Sequence, residues 1–278
     1  MKLSVLFIIA CIIGTILFLY SLLYEPYTLE TTHYTLKNDK LSGLKIVLAT
    51  DWHIAPYSFE EKRLQRVIDE INQQDADMVI LGGDYVNGHK TSSAMSITDI
   101  AAELKNLKSR YGTFAILGNH DVMYGKQAVI KAFTDAGIPL LQNSNTFVDT
   151  PNGRIYIAGV LDYAEDKPDI AKSLQGATEP TILISHSPDV FPQLKQPVEL
   201  MLSGHTHGGQ VVFPLVGALL VPSDYGQKYR YGLINENGNT LIVSKGLGTS
   251  LLPIRFNCKP EIVVIEFAVE ADRQQACA

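Results

Sequence analysis

The chain is poor in cysteine and has no block of basic residues, and each shortage excludes a class of protein. Its three cysteines, at positions 11, 258 and 277 of 278, lack the paired spacing of a zinc knuckle or a disulfide scaffold. Lys and Arg number 23 against 29 Asp and Glu, for a formal net charge of −6. A nucleic-acid partner is not expected, because phosphate backbones are bound by basic surfaces.

One long apolar run stands at the N-terminus. Residues 3–23 carry no charged side chain, and about 20 apolar residues are enough to cross a hydrocarbon core as a helix. A signal peptide would have a shorter apolar region, and a lipoprotein box ending at Cys11 would not be followed by further apolar residues. We expect residues 1–23 to be a single-pass membrane anchor. Lys2 would lie on the cytoplasmic side and the rest of the chain outside the cytoplasm.

The remaining chain, in a sequence that is 46% hydrophobic, suits one large domain. Residues 24–43 are polar and rich in Tyr and Thr, which predicts a linker with room for one edge strand. Residues 44–270 form the predicted domain, and residues 271–278 a C-terminal tail.

Within that domain, short apolar runs alternate with helical periodicity up to about residue 136, and the later part is rich in strands. Ser58 and Glu61 have the spacing of a helix capping box. Further helices are predicted around 97–104 and 126–136, the latter ended by Gly137. Asn237-Gly238 predicts a hairpin turn. This order predicts an α/β fold, a layered sandwich rather than an all-parallel barrel.

Five apolar runs in succession end in side chains that can bind metal. In open α/β sheets, sites form beyond the carboxyl ends of the strands, so these side chains should converge. The candidate metal ligands are Asp51, His53, Asp84, Asn119, His186, His205 and His207.

The residue types and their number indicate two metal ions. A spacing of two in extended backbone would point Asp51 and His53, and likewise His205 and His207, to one face as pincers. Mixed imidazole and carboxylate ligands suit Mn, Fe or Zn better than Ca. Seven ligands exceed the needs of one ion, and two-metal sites activate water and clamp an in-line displacement at phosphorus. The expected cofactors are therefore two divalent ions of Mn, Zn or Fe.

The ordered motifs D-x-H, G-D, G-N-H-D, a lone H and G-H-T-H resemble those of the calcineurin-like metallophosphoesterase superfamily. "GHTHGGQ" and "KGLGTSLLPIRF" are similar to its membrane-anchored bacterial branch. The resemblance spans roughly residues 44–268 and implies two β-sheets flanked by helices, a layered α/β/β/α sandwich.

The resemblance also implies roles for single residues. It assigns one metal to Asp51, His53 and His207, the second to Asn119, His186 and His205, and the bridge to Asp84. His120 matches the histidine that stabilises or protonates the leaving oxygen. Asp121 would orient His120, or would cap the following helix.

The expected activity is hydrolysis of a phosphoester, with a phosphodiester of the cell envelope or a lipid-linked phosphate as substrate. Two alternatives stay open: pyrophosphate cleavage in a nucleotide-linked lipid precursor, and a metal-dependent envelope-binding protein without turnover. The apolar stretch 208–232 predicts either a lip against the bilayer or an acyl chain, or a core strand with a packed loop. No obligate protein partner is indicated.

Overall fold

Two mixed β-sheets carry the fold, which a computed structural model describes for residues 2–54, 61–88, 95–178 and 180–269. The first sheet has, in spatial order, β1 (Glu30–Lys37), β13 (Glu261–Ala268), β2 (Lys45–Ala49), β3 (Met78–Leu81) and β4 (Thr113–Ala115). The second has β11 (Gly232–Glu236), β12 (Asn239–Val243), β8 (Leu200–Ser203), β7 (Thr181–Ile184), β6 (Gly153–Gly159) and β5 (Ser144–Thr150). A small ribbon pairs β9 (Val212–Phe213) with β10 (Gly217–Ala218).

Helices and apolar side chains arrange the sheets in layers. The outer face of the first sheet packs against α2 (Glu61–Gln73), α3 (Ile97–Leu104) and α4 (Asn119–Ala136). Isoleucines and leucines of both sheets interdigitate in a second cluster between them. The outer face of the second sheet is covered by the short helix α5 (Ile170–Ser173) and by turns around Phe191 and Tyr229. The predicted α/β/β/α sandwich is confirmed, with its longer helices on the first sheet.

The strand directions fix where the site can form. In the first sheet β2, β3 and β4 are parallel, and in the second sheet β6, β7 and β8 are parallel. Every residue of β3, β7 and β8 is buried, as expected for apolar runs covered on both faces. The carboxyl ends of these strands therefore deliver the chain into shared loop regions.

The predicted helices and hairpin are confirmed in place, with one early start. α4 begins at Asn119 rather than near 126. Gly125, at φ 136°, breaks it into two parts, and the second part corresponds to the predicted helix. α4 ends at Gly137, which has the left-handed conformation. The hairpin turn has Asn237 and Gly238 at positive φ. Residues 55–60 lie outside the described part, so the capping box of Ser58 is not tested.

The stretch expected to be a linker with room for one edge strand contains that strand and is built into the fold. All eight residues of β1 pair with β13 in parallel, and β1 is the edge of the first sheet. Glu25 and Pro26 are buried, and the Glu25 carboxylate accepts a hydrogen bond from the Cys258 amide. Residues 25–37, which directly follow the N-terminal helix, are therefore packed against the rest of the domain.

That helix, α1 (Lys2–Leu23), is long and apolar enough to cross a membrane by length and composition. Its apolar side chains are exposed along most of its length, including Phe7, Ile16 and Phe18. α1 is therefore a candidate membrane span, although a signal sequence meets the same criteria of length and composition. The predicted tail, 271–278, lies outside the described residues.

Candidate metal centre

Ligand-capable side chains from both sheets lie together where the parallel strands end. Asp51 and His53 follow β2, Asp84 follows β3, and His120 opens α4 beyond β4. Within each of three groups, the ligand atoms lie within 4.8 Å of one another. The groups are Asp51, His53 and His207; His53, Asp84 and His120; and Asp84, His186 and His205.

Asp84 lies between the groups. Its Oδ2 atom is 3.4 Å from His53 Nε2 and 3.2 Å from His186 Nε2. The Oδ1 atom of Asp51 is 3.4 Å from His207 Nε2. Asp84 is 1% exposed and Asp51 is fully buried. Because buried carboxylates are costly unless they are paired or coordinate metals, this arrangement suits divalent cations between the imidazoles and carboxylates.

The donor set passes a chemical test for a metal site. His186 Nδ1 donates to the carbonyl of Gly82 at 2.8 Å, which orients the ring so that Nε2 faces Asp84. Metal-binding histidines commonly donate the other ring nitrogen in this way. Asn119 Oδ1 is buried without a hydrogen-bond partner among the described residues, and Asn119 lines the same cavity as Asp84. These residues therefore fit the two-metal site that the sequence predicts.

The backbone that presents the ligands is left-handed, not extended. Asp51, His53, Asp84, His205 and His207 have φ between 41° and 69°. The pincer prediction is wrong for His205 and His207, which belong to different groups. Asp51 and His53 do share a group, although through left-handed rather than extended backbone. A non-glycine residue in this region costs on the order of 1–3 kcal/mol, and such strain concentrates at functional sites.

Two glycines are needed because loops from different strands touch here. A Cβ atom on Gly118 would collide with the Asp84 carboxylate, and one on Gly204 with the Asp51 carboxylate. Through these approaches the His120 amide donates to Asp84 Oδ1 at 2.8 Å, and the His205 amide donates to Asp51. The loops thus hold each carboxylate by backbone hydrogen bonds as well as by packing.

His120 and Asp121 occupy different places. The His120 ring is half-buried, lines the cavity, and lies edge-on to His53 with 4.6 Å between centroids. Asp121 is fully buried, and its carboxylate accepts from the amides of Asp84, Tyr85 and Gly118 at 2.7 to 2.9 Å. The predicted capping contact is therefore present. The contacts of Asp121 go to the Asp84 loop rather than to the His120 ring.

Sequence reasoning missed Arg255, whose guanidinium is fully buried behind the ligand loops. It donates to the backbone carbonyls of Lys245, Gly246, Gly248 and Cys258, and also to Cys258 Sγ. The turn that Arg255 holds packs closely against the metal ligand Asp51, since a Cβ on Gly246 would lie 2.6 Å from Asp51 Cβ. The only signal was its place in "LLPIRF".

Other residues near the site have structural partners. Asp162, three residues after β6, accepts from the amides of Ala164 and Glu165 in a turn. Lys228 and Tyr229 both bond the carboxylate of Glu236. Tyr229 is moreover buried, so neither residue resembles a phosphate ligand.

Charge and burial divide the imidazoles into two kinds. Burial lowers the pKa of His53 and His207 well below the usual value and that of His205 to about 4. Burial acts on His186 in the same direction, but Asp84 and Asp51 outweigh it and raise its pKa well above the usual value. Against burial, His186 in turn holds the pKa of Asp84 well below its usual range.

We expect metal uptake at neutral pH to release a proton from His186. A histidine must have a neutral imidazole to bind metal. His205, with a pKa near 4, is already neutral at pH 7, whereas His186, with a raised pKa, carries a proton that the metal must displace. Metal affinity and activity should therefore fall in mild acid. Calorimetric titration of the metal-free protein with Mn²⁺, in buffers of different ionisation enthalpy, measures the proton count. A count of zero at pH 7 would contradict the prediction, and His186→Gln should abolish the release.

A cavity of about 340 Å³ opens over the centre. Its floor is polar, with Asp84, Asn119, His120, His205 and His207. Its walls are largely apolar and come from the loops at 219–222 and 250–254. A substrate would thus meet charge at its reacting end and hydrocarbon elsewhere.

Comparison with known proteins agrees with this geometry. Residues 44–209 match the family described as calcineurin-like phosphoesterase, and the chain belongs to that family. It is a metallophosphoesterase, a hydrolase of phosphoester bonds. The expectation of an enzyme is confirmed, and the alternative of an envelope-binding protein without turnover is not supported.

Three bacterial relatives are similar over most of this chain. The metallophosphoesterase YkuE of Bacillus subtilis is 33% identical over 254 residues, covering 88% of this chain and 87% of its own length. The phosphodiesterase YaeI of Escherichia coli is 31% identical over 253 residues, covering 87% and 89%. A metallophosphoesterase of Helicobacter pylori is 35% identical over 256 residues, and the match spans 88% of this chain but 65% of that protein.

Proposed function

We propose that the chain is a membrane-anchored phosphodiesterase acting on a lipid-linked or cell-envelope phosphate, in the branch marked by the GHTHGGQ motif. The observation that carries the proposal is the Asp84 oxygen lying between His53 and His186, at 3.4 and 3.2 Å. A carboxylate between two imidazole groups has the geometry of a bridging ligand. The printed name of the Escherichia coli relative supports diester cleavage.

The proposed ligand sets follow the groups in space. Asp51, His53 and His207 would hold one ion of Mn, Zn or Fe. His186 and His205, with the unpartnered amide oxygen of Asn119, would hold the second. Asp84 would be a ligand of both ions. The bound ions supply activated water and stabilise charge on the phosphoryl oxygens.

The chain's own residues would position the reacting groups and protonate the leaving oxygen. The hydrogen bond from the His120 amide to Asp84 fixes where α4 begins, so the imidazole borders the cavity above the ligands. From there His120 would donate a proton to the leaving oxygen. Asp121 would be a positioning residue, because its carboxylate holds the amides on either side of the Asp84 loop.

Replacing His120 with alanine should lower turnover without removing metal. A positioned acid contributes on the order of 10²-fold or more, and most where the leaving group is poor. We expect a loss of about 10²-fold with diphenyl phosphate and a smaller one with bis(p-nitrophenyl) phosphate, whose leaving group needs little protonation. Steady-state kinetics with metal analysis checks this. His33→Ala, on the exposed side of β1, is the matched control. Equal losses with both esters would rule out proton donation by His120.

We propose that α1 is retained as a single-pass anchor with the catalytic domain outside the cytoplasm, supported by the lone Lys2 before the apolar run and Glu25 and Glu30 after it. A C-terminal alkaline phosphatase fusion should be active in bacterial cells, and a matching β-galactosidase fusion inactive. The reverse pattern would place the domain in the cytoplasm.

A further inference from the structure

Two loops beside the metal-site cavity expose large apolar side chains. We define the apolar rim as Leu215, Val216, Leu219, Leu220, Leu251 and Leu252. Leu215 is fully exposed and Leu251 is 85% exposed. Residues 208–232 divide between the two predicted alternatives. Val212, Ala218, Val221 and Tyr229 are packed, whereas Leu215, Val216, Leu219 and Leu220 are exposed.

The backbone makes this exposure harder to explain as ordinary surface. Leu215 has φ 71° and Leu251 has φ 63°, in the left-handed region. Turn positions of that kind usually carry Gly, Asn or Asp, which adopt it at low cost and are solvated. A leucine there has both strain and apolar exposure. Exposed apolar patches beside a cleft mark contact with a partner or a membrane.

The rim is one surface, continuous with the cavity. The side chain of Gln210, two residues before β9, donates to the carbonyls of Ser250 and Leu252 and accepts from the Ser250 amide, which ties the second loop to the start of the ribbon that carries the first. Leu219, Leu220, Leu251 and Leu252 also line the cavity that holds His120 and His205. An apolar group on the rim would therefore reach the metal centre without crossing polar surface.

The end of α1 lies against the base of this surface. The Ser21 carbonyl, in the last turn of α1, accepts from the Arg255 amide at 2.9 Å. Tyr20 and Pro214 line one cleft, and the Phe213 ring lies 5.7 Å from that of Phe256. A helix that spans a bilayer thus leaves it within a few residues of both rim loops.

We propose that the apolar rim lies in the surface layer of the bilayer that anchors α1, so that the cavity receives an acyl-chain-bearing phosphodiester directly from that bilayer. Leu215 and Val216 would contact lipid, and Leu219, Leu220, Leu251 and Leu252 would accompany the chain of the substrate. The substrate part of this inference rests on the proposed phosphodiesterase function. The docking part does not.

Lipid-borne quenching tests the docking. The full-length chain with Cys11→Ser and Cys277→Ser keeps only the buried Cys258, so a cysteine at position 215 can be labelled with an environment-sensitive fluorophore. In nanodiscs carrying a doxyl group near the headgroup end of the acyl chain, the label should be quenched at least about twofold, since interfacial segments sit about 5–10 Å deep. Leu233→Cys, on the edge strand β11, is the matched control and should change little.

Two results would overturn the docking proposal. One is equal, weak quenching at positions 215 and 233. The other is self-quenching of the 215 label that grows when two copies share a nanodisc, because the rim would then face a second chain.

A chain-length assay tests the substrate class separately. p-Nitrophenyl methyl phosphate and p-nitrophenyl dodecyl phosphate share a leaving group and differ in the alkyl chain. In nanodiscs, the double variant Leu215→Asp, Val216→Asp should lower kcat/KM about tenfold for the dodecyl ester, because charged side chains at the rim withdraw the cavity mouth from the bilayer that holds this ester. The methyl ester should change less than about twofold, as for most surface substitutions. Equal losses would overturn the lipid-substrate inference. Failure to cleave the methyl ester in the unaltered protein would instead contradict the proposed phosphodiesterase function.

Discussion

Asp84→Ala is expected to lose both metal ions and nearly all activity. Asp84 Oδ2 lies 3.4 Å from His53 Nε2 and 3.2 Å from His186 Nε2, closer than Asp51 Oδ1, which is 4.0 Å from each, so removal of Asp84 takes one ligand from each group. The two ions together supply several kcal/mol of transition-state stabilisation. A loss of about 4 kcal/mol corresponds to about 10³-fold in turnover. Elemental analysis of the purified protein and the rate with an aryl phosphodiester measure the two effects.

Two further variants separate the bridge from simple damage to the fold. Asp84→Asn keeps the shape and an acceptor for the His120 amide but loses the charge, and should also lose metal. Asp162→Asn alters another buried carboxylate that belongs to none of the three ligand groups, and should keep both ions. Full metal occupancy in Asp84→Asn would refute the bridging role.

Much of the site could be predicted because it lies at the ends of unmistakable strands. β3, β7 and β8 are apolar runs buried at every residue, and a polar side chain directly after such a run stands out. Parallel strands then bring their carboxyl ends to one edge, so residues far apart in sequence meet. That reasoning located Asp84, His186 and His205 without knowledge of any contact.

The local backbone could not be predicted in the same way. Spacing alone suggested that His205 and His207 share a face, but both have left-handed φ values that sequence periodicity does not encode. Such conformations are imposed by contacts with distant loops, as where Gly204 lies against Asp51. The division of the two histidines between groups is therefore a tertiary property.

Edge strands were harder to predict for a physical reason. β1, "ETTHYTLK", is half-exposed and largely polar, so it lacks the apolar run that marks the interior strands. β5, "SNTFVDT", is likewise an edge strand without buried positions. Pairing with β13 and β6, rather than intrinsic pattern, decides their conformation.

Arg255→Met is expected to lower the free energy of unfolding substantially. Methionine removes the cost of burying a charge, which is why burial lowers the pKa of Arg255. It also leaves carbonyls of the 245–258 turn without donors, and these cannot be removed along with the guanidinium. Each unsatisfied buried acceptor costs about 1–3 kcal/mol, and three carbonyls lose their donor, so the loss exceeds the gain and we expect a net loss of roughly 2–5 kcal/mol. Thermal unfolding of the full chain in detergent should show a fall of roughly 5 °C or more.

Two comparison variants decide whether the stabilisation comes from the several N–H donors of the guanidinium or from its charge. Arg255→Lys keeps the charge, but a point ammonium cannot serve carbonyls on both sides of the turn, so we expect most of the loss to remain. Arg110→Met changes an exposed arginine paired with Asp77 at 3.5 Å and should cost less than about 1 kcal/mol. Because the same turn presses Gly246 onto Asp51, the Arg255 variants should also bind metal more weakly, whereas Arg110→Met should not. A destabilised Arg255→Met protein with unchanged metal affinity would show that Arg255 supports the fold without shaping the centre.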